Sequence, residues 1–172
     1  MKWLNCLVMG ALTACATSSQ PYAEASGVGA GQAAFASYRT FAFAPANPPA
    51  AGYVVTERSL EVQRRLAPLV QASLEKRGYR KSEENPDLLI KITAGSGTKW
   101  GEKTQHGAPT EATPSGFIGV DAYDRTTGAD VWHSSGHAEI DPRRIDDALL
   151  ERGVEKMLDG FPSRRREIAQ SD

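Results

Sequence analysis

Two runs of alternating hydrophobicity face each other across Arg125-Thr126-Thr127-Gly128, and this pair constrains the fold more than any other stretch. From Phe117 to Asp124, Ile118, Val120 and Ala122 share one parity; from Asp130 to Ile140, Trp132, Ala138 and Ile140 do, with Ser134 and Gly136 at the small positions between them. A period of two with one apolar parity marks a strand that buries one face. The short turn predicts an antiparallel hairpin, and a sheet with a single apolar face needs a second layer to cover it.

Two helices are expected to form that layer. Thr56 to Arg77 carries Leu60, Leu66, Leu69, Val70 and Leu74 at helical spacing, with Thr56 as N-cap, Glu57 in the first turn and Lys76 and Arg77 in the last. Gly78 stands where a left-handed residue closes a helix, with Tyr79 as its apolar partner. Pro68 deletes one backbone bond and crowds residue 64, which predicts a kink or break. The second helix is expected from Asp141-Pro142, as N-cap and N1, through Ile145, Leu149, Val154, Met157 and Leu158, despite Gly153, to the stop at Gly160-Phe161-Pro162.

Two further strands precede the hairpin. Ser37 to Ala44 is rich in aromatic and β-favouring residues, and Pro45 to Gly52 reads as a loop. Leu88 to Ala94 alternates through Leu88, Ile90 and Ile92. Residues 95–114 carry Gly, Thr, Lys and Pro with a lone Trp100, and read either as a surface loop or as hiding an edge strand near Thr98–Lys103. The fold class is therefore α+β: a single two-layer domain over residues 37–162, a mixed sheet of about four to five strands with two helices on one face, in the order β-α-β-β-β-α. The first two strands, joined through a helix, are expected to be parallel.

The N-terminus gives an address. After Met1-Lys2 comes a short apolar run from Trp3 to Leu12, far below the roughly 20 apolar residues of a membrane-spanning helix. It ends in Leu12-Thr13-Ala14-Cys15, which resembles the lipobox of bacterial lipoproteins. The resemblance implies a signal peptide over residues 1–14, cleavage between Ala14 and Cys15, diacylglycerol on the Cys15 thiol and acylation of the new amino terminus. Ala16, not Asp, follows the Cys, which resembles the default for outer-membrane sorting, so the expected location is the cell envelope, facing the periplasm. Residues 15–36, small and polar without hydrophobic periodicity, read as a flexible tether, and residues 163–172 as a polar tail. Gly27-Val28-Gly29-Ala30-Gly31 lacks the flanking strand and helix of a phosphate loop.

The formal charge of −1 gives no electrostatic case for nucleic acid. Both cysteines, Cys6 and Cys15, lie in the first 15 residues, which leaves the remainder without a disulfide or a thiolate metal site.

The order Tyr38-Arg39-Thr40-Phe41, Leu74 through Gly78-Tyr79, Pro86-Asp87-Leu88-Leu89-Ile90, Ile118 through Asp121 to Asp124, Thr127-Gly128, Val131-Trp132 and Phe161-Pro162 carries a further resemblance. Together these blocks, over about residues 35–162, resemble the bacterial lipoproteins grouped as domain of unknown function 4136. Ser134 departs from the pattern, which has glycine two residues after the Trp. The resemblance carries no catalytic residue and no cofactor with it.

Candidate chemistry is sparse. His133 and His137 sit four apart, about 13 Å along a strand, too far to share one ion; His106 stands alone. Asp124 is explained by the turn, with Asp121 and Asp130 near it, and no calcium-loop spacing is present. Asp121, within a strand on the parity opposite the apolar face, is expected to be solvated. Ser134-Ser135 beside His137 lacks a nucleophile elbow. Arg164-Arg165-Arg166 reads as solvated tail, and Lys99, Trp100 and Lys103 as either a partner surface or a sheet-edge cover. The leading expectation is a non-enzymatic lipoprotein, held to membrane lipid through acylated Cys15, with a binding or assembly domain for an unidentified envelope partner. An envelope enzyme with a site of scattered residues, near which Asp121 and His133 would have to lie, and a carrier of a small apolar ligand stand beside it.

Overall fold

The computed structural model describes residues 35–100, 112–139 and 146–164. Six strands and two helices are built from them: β1 (Thr40–Ala44), β2 (Tyr53–Val54), α1 (Glu57–Lys76), β3 (Arg80–Lys81), β4 (Leu88–Trp100), β5 (Ala112–Asp124), β6 (Asp130–Glu139) and α2 (Asp147–Met157). The architecture is the expected α+β domain with a mixed sheet. The strand order is β3-β1-β4-β5-β6, and β2 pairs with β4. β1 runs parallel to both β3 and β4, as the helical connection requires.

The hairpin β5–β6 forms around the predicted turn, with Ala122 opposite Trp132 and Val120 opposite Ser134. A bulge between Ala122 and Tyr123 brings Asp130 opposite Tyr123. A longer hairpin precedes it. β4 and β5 stay in register over thirteen residues each, from Leu88 opposite Asp124 to Trp100 opposite Ala112. Of the two readings of 95–114, the surface loop is corrected and the hidden strand is the nearer: residues 95–100 and 112–114 are strand, and 101–111 lie outside the described residues. Gly95, Gly97 and Gly116 break the apolar alternation there without breaking the backbone ladder.

α1 begins at a capping box. The Thr56 side chain accepts from the Ser59 N–H at 3.1 Å, and the Ser59 hydroxyl accepts from the Thr56 N–H at 2.7 Å. Leu60, one residue past the capping box, is 42% exposed and lies outside the buried stripe in which it was expected. At the other end Gly78, with φ of 94°, lets its N–H reach Glu75 O at 3.0 Å while Tyr79 N–H reaches Leu74 O at 3.2 Å. This pairing satisfies two terminal carbonyls and requires a left-handed residue. Of the expected kink or break at Pro68, there is no break: the helix runs on through it. Pro68 and Arg64 both lie on the exposed side, while Leu66, Val70 and Leu74 hold the inner face in the core.

α2 is capped by Asp146, whose carboxylate accepts from the Leu149 N–H at 3.1 Å. The expected cap Asp141-Pro142 and Ile145 lie outside the described residues, and the described helix starts later than predicted.

The core is one cluster between sheet and helices. Leu66, Val70, Ile90, Val120, Trp132, Val154 and Leu158 are buried in it, and Leu149 packs against it half-buried. At one end Phe161 meets three rings edge-on, Phe35 and Tyr79 at 5.4 Å and Trp132 at 4.9 Å between centroids. Phe35 was assigned to the tether. At 2% exposure it belongs to the core, so the packed domain starts before residue 37. The tail also begins later than expected. Arg164 donates its backbone N–H to Arg77 O at 3.0 Å and its guanidinium to Tyr38 O at 2.8 Å. Arg165 and Arg166 lie outside the described residues.

Candidate functional site

The helices leave the second face of the sheet, and the chain covers part of it with its own β1–β2 connection. Residues 45–52 cross this face as a strap. Pro49 and Tyr53 press on Gly95, where a Cβ would lie 2.9 Å from the Cβ of each. Tyr53 also packs its ring on Phe117 at 5.4 Å and shares a 3.1 Å hydrogen bond with Ser115.

Beneath the strap, β4, β5 and β6 place Lys91, Asp121 and His133 in one row across the sheet, each opposite the next. His133 Nδ1 donates to Asp121 Oδ1. Asn47, from the strap, spends its whole carboxamide in the same place. Its Nδ2 donates to Asp121 Oδ2 at 2.9 Å and to the Tyr123 hydroxyl at 2.8 Å, and its Oδ1 accepts from Lys91 Nζ at 3.1 Å. The Asn47 carbonyl accepts from the Thr93 hydroxyl at 3.3 Å. Lys91 Nζ lies 4.3 Å from the centre of the Tyr123 ring, within cation–π range.

Asp121 therefore has the parity expected of it but not the expected solvation: it is 6% exposed, because the strap closes over it. Its charge reaches Asp130, whose carboxyl is held above the usual range by partial desolvation first and by Asp121 second, against the opposing pull of His133 and Lys91. The arrangement is a hydrogen-bonded, mixed-charge network with one imidazole edge toward solvent.

The remaining candidates separate. His137 lies opposite Phe117, on the same face of β6 as His133. Ser134 points to the core face and is fully buried, which separates it from His137, whereas Ser135 lies half-buried on the other face, the face of His133 and His137. Asp124 serves its turn, accepting from the N–H groups of Thr126 at 2.8 Å and Thr127 at 2.7 Å, and it also takes the Tyr38 hydroxyl at 2.7 Å. Among the described residues, no group of three or more His, Cys, Asp or Glu is gathered to hold a metal. No described helix is long and apolar enough to cross a membrane. Ala14, Cys15, Lys103 and His106 lie outside the described residues, and Lys99 and Trp100 end β4 rather than sitting in a loop.

Two surface depressions lie on the helix layer, one between α1 and α2 beside Ser73, Arg77 and Glu151, the other on the first turns of α1 beside Arg58 and Glu61. Neither includes Asp121 or His133. Asn47, Lys91 and Tyr123 were not singled out by the sequence. Only the cross-strand register of a long β4–β5 hairpin could have joined Lys91 to Asp121.

The chain is similar in structure to a PDZ domain protein from Parabacteroides distasonis ATCC 8503, with 14% identity and a TM-score of 0.49, covering 73% of this chain and 32% of that one. It thus spans about a third of that protein's length. It is also similar to a PelC dodecamer subunit from Paraburkholderia phytofirmans, with 16% identity and a TM-score of 0.47, covering 75% of this chain and 90% of that one. No curated protein is matched by the sequence. The sequence profile of the domain of unknown function DUF4136 matches residues 29–163, and the chain belongs to that family.

Proposed function

We propose that this protein is a lipid-anchored component of the cell envelope whose α+β domain binds or assembles with another envelope component and does no chemistry of its own. The observation that carries this reading is the place where packing starts. Phe35 is already in the core, so the Gly-, Ala- and Ser-rich stretch after Cys15 is left to serve as a spacer. About 20 residues of such composition span roughly 25 Å as a coil, enough to lift a domain clear of lipid headgroups. Two or three acyl chains on Cys15 supply the anchoring that one chain does not, and Ala16 favours the outer membrane.

Binding is preferred over catalysis because Asp121 is closed under the strap and bonded to it, and neither surface depression reaches Asp121 or His133. It is preferred over carriage of an apolar ligand because Leu66, Val70, Ile90, Val120 and Trp132 occupy the space between sheet and helices.

The test compares intact mass and membrane fractionation of the native protein with those of Cys15→Ala. Acyl mass on a chain that starts at Cys15, and loss of anchoring or of cleavage in the variant, is the expected result. A soluble, unacylated native protein would sink the reading.

A further inference from the structure

The Asn47 carboxamide sits in a socket rather than on a surface. Lys91 Nζ faces its oxygen, and Asp121 Oδ2 and the Tyr123 hydroxyl face its nitrogen. One donor beside two acceptors, set to meet the two ends of one small planar group, is the complement of a primary carboxamide. A carboxylate in the same place would set an oxygen against Asp121, and an ammonium would meet Lys91. The socket is also held together by contacts that do not involve Asn47. Asp121 is fixed by His133, Lys91 lies over the Tyr123 ring, and all three stand on paired strands.

The occupant, unlike its socket, stands on a connection and not on a paired strand. Within PANPPAAG, residues 45–52, Asn47 carries the only polar side chain, and Asn47 and Pro49 alone are half-buried while the other residues are exposed. The rest of the hold comes from the Thr93 hydroxyl on the Asn47 carbonyl and from Pro49 and Tyr53 against Gly95.

We propose that Lys91, Asp121 and Tyr123 form a carboxamide-recognition site that the chain fills with its own Asn47, and that a protein segment presenting an Asn or Gln side chain binds there by displacing the strap. The strap is then a built-in competitor, which keeps a buried carboxylate partnered until the partner arrives. This site is independent of acylation at Cys15, so failure of the anchoring experiment leaves it standing.

The test uses Asn47→Ala in the full chain, with acetamide as the probe and acetate and N,N-dimethylacetamide as controls, followed by backbone NMR. Acetamide is expected to shift the amides of Lys91, Asp121 and Tyr123 in the variant and not in the native protein, with neither control doing so. Equal shifts from all three probes, no shift at these residues, or the same shifts in the native protein would overturn the proposal.

Should Asn47→Ala not fold, Tyr123→Phe removes one acceptor and leaves the strap sequence intact. The Tyr53 amide, bonded to Ala50 O at 3.1 Å in the turn that ends the strap and set opposite Gly97 of β4, reports loosening of the strap's end by hydrogen exchange. Its exchange is expected to rise roughly five- to tenfold, the loss of about one hydrogen bond, and to fall back toward the native rate when Tyr123 is restored. An unchanged rate would show that the socket does not hold the strap.

Discussion

Pro49 crosses β4 directly over Gly95, so closely that a methyl group on Gly95 would fall 2.9 Å from the Pro49 Cβ. Real carbon contacts are not that short, so Gly95→Ala must displace either the strap or the strand. Overpacking of this kind costs about 1–3 kcal/mol. The expected outcome is a lower urea midpoint for Gly95→Ala with faster hydrogen exchange at Tyr53. Gly160→Ala, where a Cβ would meet nothing within 4 Å, is the control and is expected to stay near neutral. Equal stability of the two variants would mean that the strap does not lie on β4.

The same contact explains why part of the fold was hidden in the sequence. The hairpin β5–β6 and helix α1 were legible because each carries its own signal: period-two alternation around a polar turn, and helical spacing closed by Thr56 and Gly78. The far halves of β4 and β5 were not, because Gly95, Gly97 and Gly116 erase the alternation that marks a strand. At Gly95 and Gly97 the missing side chain makes room for the strap, a tertiary demand with no local signature. Tyr53–Val54 and Arg80–Lys81 are two-residue strands that exist only because β4 and β1 offer them an edge.

The site was legible in the same uneven way. Asp121 stood out as a carboxylate inside a strand, and His133 as an imidazole with strand spacing to His137. Their burial and their partners depend on Asn47, 74 residues before Asp121. By contrast, the short blocks that mark the family converge on a separate joint. There Tyr38 meets Asp124, Thr40 meets Asp87, Tyr79 meets Pro162, and Trp132 meets Phe161. Much of the recognisable pattern records how the sheet, α1 and the chain after α2 are fastened together.

Ser134 has a cost that can be removed. Its hydroxyl is fully buried on the core face and has no hydrogen-bond partner among the described residues, and neither has Trp132 Nε1, two residues earlier on the same face. An unpaired buried polar group costs about 1–3 kcal/mol relative to an apolar group of the same shape. Ser134→Ala keeps the volume apart from that hydroxyl, so it is expected to raise the urea midpoint with an unchanged slope, by about 1 kcal/mol. A drop in stability would show that the hydroxyl is partnered in solution.

Asp87 links stability to acid. One carboxylate oxygen accepts from the N–H groups of Arg39 at 2.7 Å and Thr40 at 2.9 Å and from the Thr40 hydroxyl at 2.9 Å. Partial desolvation pushes its pKa upward, but these bonds together outweigh it and hold the carboxyl below its ordinary value of 3.8. A depressed folded-state pKa adds stability that is present above the unfolded value and is lost as pH falls through the folded one. Asp87→Asn is therefore expected to cost roughly 1–2 kcal/mol at neutral pH, with the gap to the native protein closing below about pH 4. A gap that stays constant down to pH 3 would remove Asp87 from the acid response.

Tyr38 gives the opposite sign at alkaline pH. Its hydroxyl donates to Asp124 at 2.7 Å, and its pKa is raised from 10.0 to about 12, first by burial and then by that bond and by the Asp124 charge. For a group that becomes anionic, a raised folded-state pKa adds stability below the unfolded value, and that stability is lost as pH rises from 10 through 12. The difference between the ultraviolet titrations of the native protein and Tyr38→Phe isolates this phenol, which is expected to ionise near 12. Asp124→Asn removes the charge but leaves the burial, so the same difference measured in that background is expected to move toward 10 without reaching it. Complete return to 10 would assign the whole effect to Asp124, and no movement would assign it to burial alone.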